Sequence, residues 1–144
     1  MLLLRSALLA ALSAVLATSA SAAELPRSSA PANAKLYFIT PTDGERIKGP
    51  VTVRFGLSNM GVAPAGMDKE NTGHHHLLIN LSALPALDQP LPATDQIKHF
   101  GGGQTETVLQ LPPGTHTLQL LLGDKLHIPH QPAVLSDKIT ITVE

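Results

Sequence analysis

Proline and glycine punctuate this chain so closely that long regular elements are excluded. Twelve prolines and eleven glycines are spread through 144 residues, and between them lie short stretches with an alternating apolar–polar pattern. Proline interrupts helices and the interior of sheets, and glycine supplies turn conformations, so the spacing predicts short strands joined by turns. The clearest stretch is Val51-Thr-Val-Arg-Phe-Gly-Leu57, where Val51, Val53, Phe55 and Leu57 alternate with Thr52 and Arg54. That period of two is the mark of a strand with one buried face.

Seven strands follow from this reading: A (35–39), B (51–57), C (74–80), a weak D within 81–98, E (104–111), F (115–122) and G (136–143). Pro41-Thr-Asp-Gly44 closes the first strand as a turn, with Pro presetting φ and Gly44 supplying a positive one. Pro112-Pro-Gly114 makes a corner between E and F. Pro85, Pro90 and Pro92 make the segment before residue 97 an irregular crossover. The expected fold is an all-β, immunoglobulin-like Greek-key sandwich over 35–144. With only Tyr37, Phe38, Phe55 and Phe100 as aromatic residues, its core must be built from Leu, Ile and Val.

Residues 1–22 stand apart. A basic start at Arg5, an apolar run from Ala7 to Ala17 and the small-x-small pattern Ala20-Ser-Ala22 read as a cleaved signal peptide. The run is too short for a bilayer span, so no membrane anchor is expected. Residues 23–34 are rich in Pro, Ser and Ala and read as a flexible tether. The expected location is the periplasm. With no Cys in the chain, stability must come from packing rather than disulfides. Without Arg5, nine basic residues face eleven acidic ones, a net charge of −2. That balance offers no basic stripe for nucleic acid and no polybasic patch for lipid.

Chemistry concentrates in histidine. Six of the seven histidines lie in three short segments: His74-His75-His76, His99, and His127-Ile-Pro-His130. In the expected topology the B–C, D–E and F–G connections share one end of the sandwich, which brings these segments together. His116, at the E–F corner, lies at the opposite end. Strand alternation places His74 and His76 on one face and His75 on the other. Imidazole is the commonest metal ligand, and a His-x-His pair on a strand can grip one ion with help from a loop. The expected metal ligands are His74, His76, His127 and His130, with His75, His99, Met60 and Met67 as further candidates. Asp68 and Glu70 lie near the methionines. Imidazole with thioether favours copper and imidazole with carboxylate suits zinc or Cu(II), so copper is expected before zinc. The alternative is a non-metal module whose same loops bind a periplasmic protein or a glycan. No enzymatic activity is expected: no thiol exists, no Ser stands in a nucleophile elbow, and Gly101-Gly-Gly103 is followed by neither Lys nor a helix start. His116 opens strand F where immunoglobulin-like domains commonly carry a corner Tyr, and is expected to bond across the corner.

Asn71-Thr-Gly-His-His-His-Leu-Leu-Ile79, Phe100-Gly-Gly-Gly-Gln-Thr-Glu106, Leu111-Pro-Pro-Gly-Thr-His-Thr-Leu-Gln-Leu-Leu-Leu-Gly-Asp124, His127-Ile-Pro-His130 and Ile139-Thr-Ile-Thr-Val143 together resemble an exported bacterial family known as domain of unknown function 4399. Gly61-Val-Ala-Pro-Ala-Gly66 adds to the likeness, which covers about residues 36 to 143. The resemblance implies export and carries over His74, His75, His76, His99, Gln104, Glu106, His116, His127 and His130 as motif positions. Two positions depart from the pattern: Asn80 stands where Asp is usual, and Lys98 precedes His99 in a stretch often richer in His or aromatic residues.

Overall fold

The computed structural model describes residues 24–144, and the expected signal peptide lies outside them. Those residues form two β-sheets with nine strands and no helix. The smaller sheet has the order β1 (Lys35–Thr40), β3 (Val51–Ser58), β7 (Glu106–Leu109), all antiparallel. Its register follows the alternation of the sequence. Leu36 lies opposite Leu57, Phe38 opposite Phe55 and Val51 opposite Leu109, so one face is apolar, while Thr52 and Arg54 are exposed.

The larger sheet runs β2 (Arg46–Ile47), β9 (Ile139–Val143), β8 (Gly114–Gly123), β5 (Thr72–Ile79), β4 (Gly61–Val62). A further short strand, β6 (Ile97–His99), also pairs with β5. The two sheets share one core, in which Leu36, Val53 and Phe55 from the smaller pack with Leu77, Leu118, Leu120 and Ile141 from the larger. Each such side chain taken fully out of water contributes about 1.5–3 kcal/mol.

A second, smaller cluster, Leu78, Leu91, Ile97 and Leu121, covers the outer face of the larger sheet. Strand β5 is therefore buried on both faces, which is why every residue from Gly73 to Ile79 is buried despite the alternation of side chains. The Leu91 contribution comes from the proline-rich crossover, irregular as expected, which folds back over the sheet.

Two features of the chain's course differ from the sequence reading. The weak strand D is reduced to the three residues of β6, which extend the larger sheet beside β5. A strand of three residues leaves too little periodic pattern to reveal its partner. The second concerns the segment expected as a tether. Ser29 bridges Gln131 in parallel, Ala30 N–H donates to Gln131 O and Gln131 N–H to Ser28 O, and Arg27 Nε–H donates to Pro129 O. Ala30 itself is buried in the common core. Among the described residues no helix is long and apolar enough to cross a membrane.

Candidate metal centre

Strand alternation divides the histidine triplet as the sequence predicts. His75 turns into the common core, its ring centroid 5.0 Å from that of Phe55. His74 and His76 turn to the outer face of the larger sheet, with ring centroids 4.9 Å apart. All three are fully buried.

Two further rings close over that outer pair. His99 ends β6 and is the direct cross-strand partner of His76. His127 projects from the turn after β8, in the left-handed region at φ 66°. This conformation is costly outside glycine, and Asp124 holds it in place. Asp124 Oδ1 accepts from the N–H groups of Leu126 (2.8 Å) and Ile128 (3.0 Å), and its carbonyl accepts from His127 N–H (2.9 Å). Asp124 Oδ2 accepts from the Ser28 hydroxyl at 2.7 Å. The His127 carbonyl in turn accepts from Leu91 N–H at 2.9 Å, tying the crossover to the site.

The result is a cluster of four imidazoles from three segments. His74 Nε2 lies 3.0 Å from His127 Nδ1 and 3.2 Å from His99 Nε2. One ring nitrogen from each of His74, His76, His99 and His127 can be chosen so that all lie within 4.8 Å of one another. Glycine makes the approach possible. A Cβ on Gly123, which lies opposite His74, would come within 2.7 Å of His76 Cε1. A Cβ on Gly101 would overlap the His99 ring.

Hydrogen bonding within the protein leaves these rings incompletely satisfied. A neutral imidazole has one N–H donor and one acceptor nitrogen. His74 Nδ1 and both nitrogens of His76 are buried without a hydrogen-bond partner. A buried polar atom left in this state costs about 1–3 kcal/mol. Three of the rings are also held neutral. Burial, followed by the neighbouring His127 and His99, lowers the His74 pKa to about 4. Burial, followed by His74, His99 and His127, lowers that of His76 to about 3. His99 is lowered too, by burial and then by His127. Neutral imidazoles with convergent lone pairs are the protonation state that a metal ion requires.

The other expected ligands lie elsewhere. Gly73 shares the parity of His75, and a Cβ there would meet His130 Cε1 at 2.8 Å, so His130 sits on the core side of β5, across the strand from His74 and His76. Its Nε2 donates to Thr72 O at 3.0 Å, and it lines a hollow of about 230 Å³ with Ser28, Glu70 and Asp124. His75, with both nitrogens buried and unpartnered, faces the core. Met60 packs partly buried against the common core, and Met67 is 51 % exposed. Asp68 is paired with Lys125 at 2.6 Å. His99, a subsidiary candidate in the sequence, takes the place expected for His130. Its position was hidden because nothing in residues 97–99 reveals that they add to the edge of β5.

His116 is at the corner, as expected. Its Nε2–H donates to Pro112 O at 2.8 Å, which leaves Nδ1 as acceptor for the Asn80 amide at 3.0 Å. Asn80 Oδ1 also accepts from Thr117 N–H at 2.9 Å. The Asn at this position, a departure from the resembling pattern, is therefore used for both its donor and its acceptor.

No curated protein matches the chain. Its structure is similar to that of the endo-β-1,4-mannanase from Thermotoga petrophila, at a TM-score of 0.45 and 23% identity, over 78% of this chain and 20% of that one. The chain thus spans a fifth of that protein's length, and so distant a likeness carries no functional argument. Residues 53–144, which include all four clustered histidines and the corner at His116, match the family described as a domain of unknown function (DUF4399), and the chain belongs to that family.

Proposed function

We propose that this protein binds one divalent transition-metal ion through His74, His76, His99 and His127. The observation that carries the reading is the convergence of four ring nitrogens within 4.8 Å, on a face where His76 has no other partner. Four nitrogens at about 2.0–2.1 Å from a tetrahedral ion stand about 3.3 Å from one another. The 3.0 and 3.2 Å separations around His74 are close to that spacing.

An all-imidazole set suits zinc and Cu(II). The preference for copper rested on thioether ligation, and a set of four histidines offers no thioether, so the argument for Cu(I) lapses. Between the two divalent ions, the general affinity order favours Cu(II). The role is metal handling or protection rather than catalysis, carried out after export directed by residues 1–22. The strand order β1-β3-β7 opposite β9-β8-β5 supports an immunoglobulin-like sandwich as the scaffold.

Elemental analysis of the untagged protein, followed by Zn(II) and Cu(II) titration, tests this reading. One ion per chain, bound far more tightly than by a histidine peptide, is the expected result. Metal below stoichiometry with peptide-like affinity would overturn it in favour of a protein- or glycan-binding module. Fractionation and N-terminal sequencing test the export, with a mature start near Ala23 expected.

A further inference from the structure

We infer that the ion enters and leaves this centre by exchange of His99, the other three imidazoles remaining in place. The inference rests on the metal-binding reading above and concerns how the same site trades its ion. The four ligands are unequally held. His74 and His76 are fully buried on β5, which is hydrogen-bonded to β8 on one side and to β6 on the other. His127 is half-buried in a turn fixed by the Asp124 carboxylate and tied to Leu91. His99 is exposed and ends a strand of only three residues, with three glycines beginning two residues later.

The His99 ring lies across Gly101, in the space that any side chain there would fill. His99 also lines an open, solvent-facing hollow together with Ala93, Thr94, Asp95, Lys98 and Phe100. This hollow gives an incoming donor a solvent-facing approach at His99, whereas His74 and His76 are fully buried on β5. The donor's lone pair would replace that of His99, which leaves as a neutral ring, so coordination number and charge on the protein are unchanged. The acceptor is accordingly a chelating donor set, either a small molecule or an exposed ligand group of another protein.

Two substitutions isolate this ligand. His99→Ala removes the ring. Gly101→Ala keeps all four histidines and displaces the His99 ring, and the φ of Gly101 lies outside the left-handed range, so the backbone accepts alanine. The experiment is stopped-flow transfer of Zn(II) from loaded protein to a chromogenic chelator, with equilibrium titration alongside. Both variants should still bind one Zn(II) per chain and should lose it at least about tenfold faster than the unsubstituted protein, most of the affinity change residing in the dissociation rate. His127→Ala should lose binding more severely at equilibrium. Unchanged transfer rates in both variants, or complete loss of Zn(II) binding in His99→Ala, would overturn the inference while the site reading stands. Failure of the unsubstituted protein to bind Zn(II) would overturn both.

Discussion

His76 and His99 face each other directly across the β5–β6 ladder, with ring centroids 5.1 Å apart. This pairing recruits an exposed ring into a buried pair and turns a His-x-His strand motif into a four-imidazole cluster. It also separates residues that matter for the ion from those that merely lie near it in sequence.

His76→Ala and His130→Ala should therefore behave differently, although both remove a buried ring. His76→Ala is expected to weaken Zn(II) binding by at least about 10–100-fold, the scale seen even for loss of an outer-shell partner. His130→Ala should leave binding intact and lower stability by about 1–3 kcal/mol, through the lost bond to Thr72 O and the space opened beside Gly73. Titration calorimetry and thermal melts on both variants check the contrast.

The pH dependence of the apo protein follows from the lowered ring pKa values. Burial lowers His75 to about 4, in company with His74 at about 4 and His76 at about 3. Below pH 6.5 the unfolded chain protonates these rings while the folded chain does not, so unfolding takes up protons and stability falls as pH falls. The loss should begin near pH 6.5 and be largely complete near pH 4, as read from melting temperatures. For the same reason protons compete poorly with a metal at His74 and His76. The melting-temperature gain from Zn(II) should persist at pH 5.5 instead of fading at the ordinary histidine pKa.

His116→Ala is expected to cost about 1–3 kcal/mol, a shift of several degrees in melting temperature, because it removes the bonds to Pro112 O and Asn80 together. Zn(II) affinity should be unchanged, since the corner contributes nothing to the cluster. Loss of binding with stability intact would contradict the placement of both.

Asp124→Ala should affect stability and binding together. Burial alone would raise the Asp124 carboxyl, but the Ser28 hydroxyl and the Leu126 and Ile128 N–H groups outweigh it and hold the group below the usual carboxylate range. Without that carboxylate the turn loses what holds His127 at positive φ. A lower melting temperature and a weaker Zn(II) titration are expected in one variant, although Asp124 is not itself in the cluster.

Much of this arrangement was legible from local pattern. The alternation of Val51 to Leu57 specifies a half-buried strand, Pro112-Pro-Gly114 specifies a corner, and the period of two in a strand is enough to separate His75 from His74 and His76. Each of these depends on residues that are neighbours in sequence, where backbone geometry alone decides which side chains share a face. The fate of His99 and His130 depended on something else. His130 is three residues from His127, yet the chain crosses between them from the outer face of the larger sheet to the core side of β5, and no local period records that crossing. His99 is far from both, and joins His76 only because three residues of weak strand pattern find an open edge on β5. Which edge a short strand takes is decided by the packing of Leu78, Leu91, Ile97 and Leu121 over the whole outer face, an energy summed across segments distant in the chain.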